Sequence, residues 1–182
     1  MTDHLLYLSL PPYLAQWYAD ECRRNEQARS DTYAPEPYRF PQPIQPIRGS
    51  LESGILEVFL TKQPAAVPQD FKEGANLVLA IPSFRNRDPR IYNYLRPSAR
   101  EMLKAAIHTR FQVKLFQDIH QLVGLGKARK DLTIVVWMEQ HGIEVDDTNY
   151  NSVLKVFDRV RNTYTQSENR KIKKERKKVQ KP

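Results

Sequence analysis

The sequence predicts an α+β protein: a small sheet with helices in the N-terminal half, then an all-α, wingless, helix-turn-helix-like C-terminal part extended by a basic helix or tail. Three observations carry this expectation. Two short apolar runs, residues 5–10 and 77–81, are each followed by proline, the pattern of a buried strand. A helical-period apolar stripe runs from Met102 to Leu122 without a proline. Gly142 then separates two more helical patterns, and eight cations crowd into residues 170–182.

Length and composition set the frame. At 182 residues and 40% apolar content, the chain is long enough to bury a core. The organisation expected is an α+β domain over 1–96 with a proline-rich connector at 30–50, a helical part over 97–166, and a basic tail over 167–182. Cys22 is the single cysteine, so an intrachain disulfide and a cysteine-based zinc site are excluded. The first residues lack the pattern of a signal peptide, and there is no run of 18 apolar residues. The expectation is a cytoplasmic protein without a membrane partner.

The net charge of +8 is unevenly placed. Residues 170–182 hold Arg170, Lys171, Lys173, Lys174, Arg176, Lys177, Lys178 and Lys181 against Glu175 alone, a net of seven positive charges. The other residues hold 21 basic and 20 acidic side chains, so the body is nearly neutral. Positive charge gathered at one end points to a localised contact with polyanion.

Taken in order, residues 5–10 read as a strand, and Pro11-Pro12 suit the first turn of a helix because their missing N–H groups cost nothing there. Tyr13, Leu14, Trp17 and Tyr18 then recur at helical spacing, predicting a helix to about residue 28. Pro35, Pro37, Pro41, Pro43 and Pro46 break the next segment into extended backbone. Its Pro43-Ile44-Gln45-Pro46 matches a PxxP ligand formally, and residues 43–48 also suit an edge strand. Ser50 is placed to cap a helix whose apolar side would be Leu51, Ile55, Val58 and Phe59.

Lys72-Glu73-Gly74 reads as a turn before the strand at 77–81, which should pair with 5–10. The loop beyond it carries Arg85, Arg87 and Arg90, whose guanidinium forks match phosphate oxygens; a solvated loop with Asp88 capping a turn at Pro89 is the plainer alternative. Ser98-Ala99-Arg100-Glu101 has the form of a capping box opening the long helix, which Gly124 and Gly126 should end.

Asp131 suits the N-cap of the next helix and Gly142 its left-handed end, with Ile143 reaching back to Met138. Residues 144–147 form a turn longer than that of a tight helix-turn-helix. On the last helix Tyr150, Val153, Leu154, Phe157, Val160 and Tyr164 share one side. The opposite side carries Asn151, Ser152, Lys155, Arg159 and Asn162 without an acid, while Asp158 at the margin is in reach of Arg161. Arginine and asparagine make bidentate contacts to guanine and adenine edges, so this side is the candidate for a major groove. An ordinary solvated helix would also be polar there. The basic tail, helical or unfolded until bound, would add phosphate contacts.

Taken together, Arg48-Gly49-Ser50, Ile81-Pro82-Ser83-Phe84, Asp88-Pro89-Arg90, Tyr92-Asn93-Tyr94-Leu95 and the terminal helix pair resemble a group of uncharacterised gut-bacterial proteins of mobile-element type. Trp137-Met138-Glu139-Gln140-His141-Gly142-Ile143, Tyr150 and Phe157-Asp158-Arg159-Val160-Arg161 are similar to their helix-turn-helix-like ends. The resemblance implies DNA binding in a regulator or accessory factor and fixes no functional residue.

Catalysis finds little support in the residues. His4, His108, His120 and His141 are scattered, and none forms a zinc motif. Gly124-Leu125-Gly126-Lys127 lacks the spacing of a phosphate loop, and there is no G-x-S-x-G. The expected catalytic set, metal and cofactor are therefore none. DNA is expected as partner ahead of RNA. A protein partner or homodimer is the competing expectation, with the tail serving only non-specific contact or solubility.

Overall fold

The computed structural model describes residues 4–27, 34–64, 74–124 and 129–179, with side chains described for all of these except 121–124 and 172–179. Among them the chain forms four strands and five helices, a mixed α+β architecture. Strand β1 (Leu5–Leu8) pairs antiparallel with β3 (Leu77–Ala80), Leu5 opposite Ala80 and Leu8 opposite Leu77. Strand β2 (Leu60–Lys62) pairs antiparallel with β4 (Tyr92–Leu95). There are thus two small sheets where the sequence suggested one. The connector adds a single bridge: Ile44 donates to the Val78 carbonyl at 3.0 Å and accepts from Ala80 N–H at 2.9 Å, lying parallel to β3.

Helix α1 (Pro12–Glu26) begins where the prolines placed it, with Tyr13, Leu14, Trp17, Tyr18 and Cys22 buried along one side. It ends at Glu26, where Gln27 N–H donates to the Arg23 carbonyl at 2.9 Å, two residues before the expected end; Lys72 and Glu73 of the expected turn and Leu125-Gly126 beyond the long helix lie outside the described residues.

Helix α2 (Leu51–Phe59) has Ser50 as its N-cap, the hydroxyl accepting from Ser53 N–H at 3.2 Å. Its buried side, however, is Glu52, Ser53, Ile55 and Leu56; Leu51, Val58 and Phe59 face outward. The cause is an ion pair. The Glu52 carboxylate meets Arg110 Nη1 of the next helix at 3.2 Å, and Arg110 also reaches Glu21. Holding Glu52 inward sets the phase of a helix this short.

Helix α3 (Pro97–Gly124) is the 28-residue spine. It starts one residue before the predicted capping box: Arg100 N–H donates to the Arg96 carbonyl, so Ser98 lies inside the first turn. Glu101 binds Lys104 at 2.8 Å. Leu103, Ile107, Phe111, Leu115 and Ile119 are fully buried as the stripe predicted, while Met102 is exposed.

Helix α4 (Lys130–Gln140) is preceded by Arg129 as N-cap, which makes no side-chain cap bond, so Asp131 sits in the first turn instead. There it still favours the positive helix end. The other end follows the prediction. Gly142 has φ +63°, Ile143 N–H donates to Met138 C=O at 3.0 Å, and Gly142 N–H to Glu139 C=O at 3.3 Å. These two bonds and the burial of both Met138 and Ile143 make a Schellman ending.

Helix α5 (Asp147–Val179) runs 33 residues, about 50 Å at the α-helical rise. One continuous core joins all of these elements. Phe111 lies at its centre, its ring 5.2 Å from Tyr13, 5.2 Å from Trp17 and 5.8 Å from Trp137. No described helix is long and apolar enough to cross a membrane.

Candidate nucleic-acid interface

The exposed side of α5 is positioned from its first turn. Asp146 Oδ1 accepts from Asn149 N–H at 2.8 Å, an N-cap bond. The Asn149 amide, 2% exposed, donates to Asp146 Oδ2 at 2.7 Å and to the Glu144 carbonyl at 3.0 Å. Gln16 of α1 accepts from Glu144 N–H at 3.1 Å, tying this knot to the N-terminal half. Val153, Val156 and Phe157 then bury the inner side against the core.

Packing inward at those positions forces the other side outward. Asn151, Lys155, Arg159 and Asn162 are exposed and Ser152 is half-buried, as the wheel predicted. The same outward line continues through Gln166, Asn169 and Arg170, all exposed. From Asn151 to Arg170 it spans about 29 Å and contains no acid. Gln166 and Asn169 were missed because the sequence argument stopped its wheel at Tyr164. Carrying the 100° step less than two turns further would have found them.

Two neighbours shape the charge there. Asp158 pairs with Lys130 Nζ of α4 at 3.2 Å, in place of the predicted Arg161, because the antiparallel hairpin brings residue 130 alongside residue 158. Arg159 lies near His108 of α3, and burial followed by this guanidinium lowers the His108 pKa from its ordinary value. Beyond Val160 the core contacts thin out. Tyr164 still packs on Phe116 and His120, with ring centroids 5.2 Å away in each case.

Past that point α5 continues as helix through the basic run. Lys171 is exposed and pairs with Glu168 at 2.9 Å. Lys173, Lys174, Arg176, Lys177 and Lys178 lie on the helical backbone, and their side chains lie outside the described residues, as does Lys181.

The three loop arginines do not form a cluster. Arg87 Nη1 donates to the Leu60 carbonyl, and its guanidinium lies 5.6 Å from the Tyr92 ring centre. Arg90 grips Asp88 through Nε and Nη2, at 2.9 and 2.6 Å to Oδ2. These bonds hold the Asp88 carboxyl at a pKa of about 2. Arg85 is exposed. The predicted turn at Pro89 is present, with Arg90 N–H donating to Asp88 Oδ1 at 2.9 Å.

His120 and His141 pack against aromatic rings. His141 is buried, stacks on Trp137 at 4.2 Å, and donates from Nδ1 to the Trp137 carbonyl at 2.8 Å. Its Nε2 lies 3.7 Å from Asp118, which also accepts from Trp137 Nε1 at 2.9 Å. Among the described residues no group of three or more His, Cys, Asp or Glu side chains could hold a metal. Burial pushes the Cys22 thiol up to about 12.

No protein family, curated protein or solved structure matches this chain.

Proposed function

We propose that this protein binds duplex DNA, with the outer side of α5 in the major groove and the distal basic part of the helix along the phosphates. The observation that carries the reading is the acid-free line Asn151, Lys155, Arg159, Asn162, Gln166, Asn169 and Arg170, exposed on one continuous helix. An α-helix with its side chains is about as wide as the B-form major groove, whereas the A-form groove of duplex RNA is too narrow for it. DNA is therefore favoured over RNA. In this reading α4 and α5 form a helix-turn-helix-like pair without a wing, and the helical extension supplies the backbone contacts a wing would make. The resemblance described above extends it to a regulator or accessory factor of a bacterial mobile element.

A protein-docking role is the second reading, favoured by Leu132 and Val136. They lie one turn apart on α4 and are 58% and 49% exposed. In that case the basic segment makes only non-specific contact with nucleic acid.

The deciding experiment is a salt titration of duplex binding by the full chain and by a chain ending at Gln166. Under the DNA reading, removing the six net charges of residues 167–182 reduces the slope of log K against log salt by up to about 5. Arg159→Ala and Asn151→Ala change sequence preference, costing about 1–3 kcal/mol at one base position. Negligible binding by both chains overturns the reading. Binding without any sequence preference, lost in moderate salt, reduces it to a charged extension.

A further inference from the structure

A second site forms where the connector bridge meets the end of β3. Because Ile44 is held against β3, the residues after it, Gln45 and Arg48, are carried to the mouth of a groove of about 610 Å³. Ile81 N–H donates to the His4 carbonyl at 2.8 Å, closing the β1–β3 ladder beneath it. Ile81, Pro82 and Pro89 give the groove an apolar floor, and Asp88 and Arg90 line its other wall.

The charges do not cancel. Arg90 is satisfied by Asp88, but Arg48, Gln45 and Ser83 have no side-chain partner among the described residues. Among the described residues, then, the groove holds a guanidinium without a carboxylate partner, beside an amide and a hydroxyl with none. Its volume lies in the range of small-molecule sites.

We propose that this groove binds a small organic oxyanion, a carboxylate or phosphate monoester. Arg48 makes the bidentate contact, Ser83 and Gln45 donate to the remaining oxygens, and the apolar floor takes a ring-sized substituent. A guanidinium fork matches two oxygens of either anion, and a charge-assisted bidentate pair is stronger than a neutral hydrogen bond. The arginine proposed here is not one of the three loop arginines offered as possible phosphate contacts, since Arg48 lies more than 30 residues before that loop.

The test is amide NMR on the full-length protein, titrated with phenyl phosphate and, separately, benzoate, which share a ring and differ in the anion. Saturable shifts centred on Ser83, Asp88 and Arg90 are expected with at least one probe. Arg48→Ala should weaken that binding by about tenfold or more, the size of a lost charged hydrogen bond. Arg159→Ala should leave it unchanged, which separates this site from α5. The tighter probe identifies the anion. No saturation, shifts confined to α5, or equal affinity in Arg48→Ala overturns the proposal, as does release of the probe by excess duplex DNA. Arg48 is exposed, and an unaltered spectrum away from the groove confirms that the variant is folded.

Discussion

Lys130 Nζ sits 3.2 Å from Asp158 Oδ1, joining the start of α4 to the middle of α5. The pair is 31% and 44% exposed, so its contribution to stability is below about 1 kcal/mol. Its larger effect is electrostatic. It neutralises the acid nearest the exposed line of α5. Lys130→Ala should leave the melting temperature nearly unchanged and, under the proposed DNA reading, weaken duplex binding roughly twofold to threefold at low salt, whereas Asp158→Asn should strengthen it. Filter binding at two salt concentrations checks both signs.

Gly142→Ala should destabilise the fold by about 2 kcal/mol, read as a lower urea midpoint with unchanged slope. The residue has φ +63°, where a side chain is strained, and the added Cβ would lie 3.1 Å from Asp20 and from the Glu36 carbonyl.

Acidification should destabilise the protein below about pH 6.5, and His141→Gln should flatten that dependence. Burial lowers the His141 pKa from 6.5, assisted by Arg24 and opposed by the Trp137 carbonyl, Asp118 and Asp20. With the folded value below the unfolded one, the unfolded chain takes up the proton first. The stability from keeping His141 neutral is thus present above pH 6.5 and lost as pH falls towards the folded value. His108 shifts the same way, so some slope should persist in the variant. Urea titrations from pH 7.5 to about 5 provide the measurement.

Cys22 should be inert to a thiol-specific disulfide reagent in the native protein and react at once in denaturant. It is 1% exposed, and a thiol with a pKa near 12 offers almost no thiolate at neutral pH. Fast native labelling would show that α1 opens independently of the rest.

Several of these features were legible in the sequence because their causes are local. The proline-stopped runs became paired strands, Gly142 ended α4, and the outer side of α5 was exposed where the wheel placed it. What was misread depends on partners far along the chain. The phase of α2 follows from Arg110 drawing Glu52 inward, which no nine-residue periodicity reveals. Asp158 found Lys130 because of how a hairpin folds back, and Arg87 found the Leu60 carbonyl 27 positions away. The Ser98 box failed for a competing local reason: Pro97 is itself suited to the first helical position and opened the helix earlier.

The ring of Phe111 touches Tyr13 and Trp17 from one end of the chain and Trp137 from the other. A ribosome delivers those residues in sequence, and emerging chains gain structure only when their contacts are present. The N-terminal sheet and α1 thus have no finished surface to settle on until residues past 157 have left the exit tunnel. Trp17 therefore reaches its full native burial only after both ends of the chain have been made.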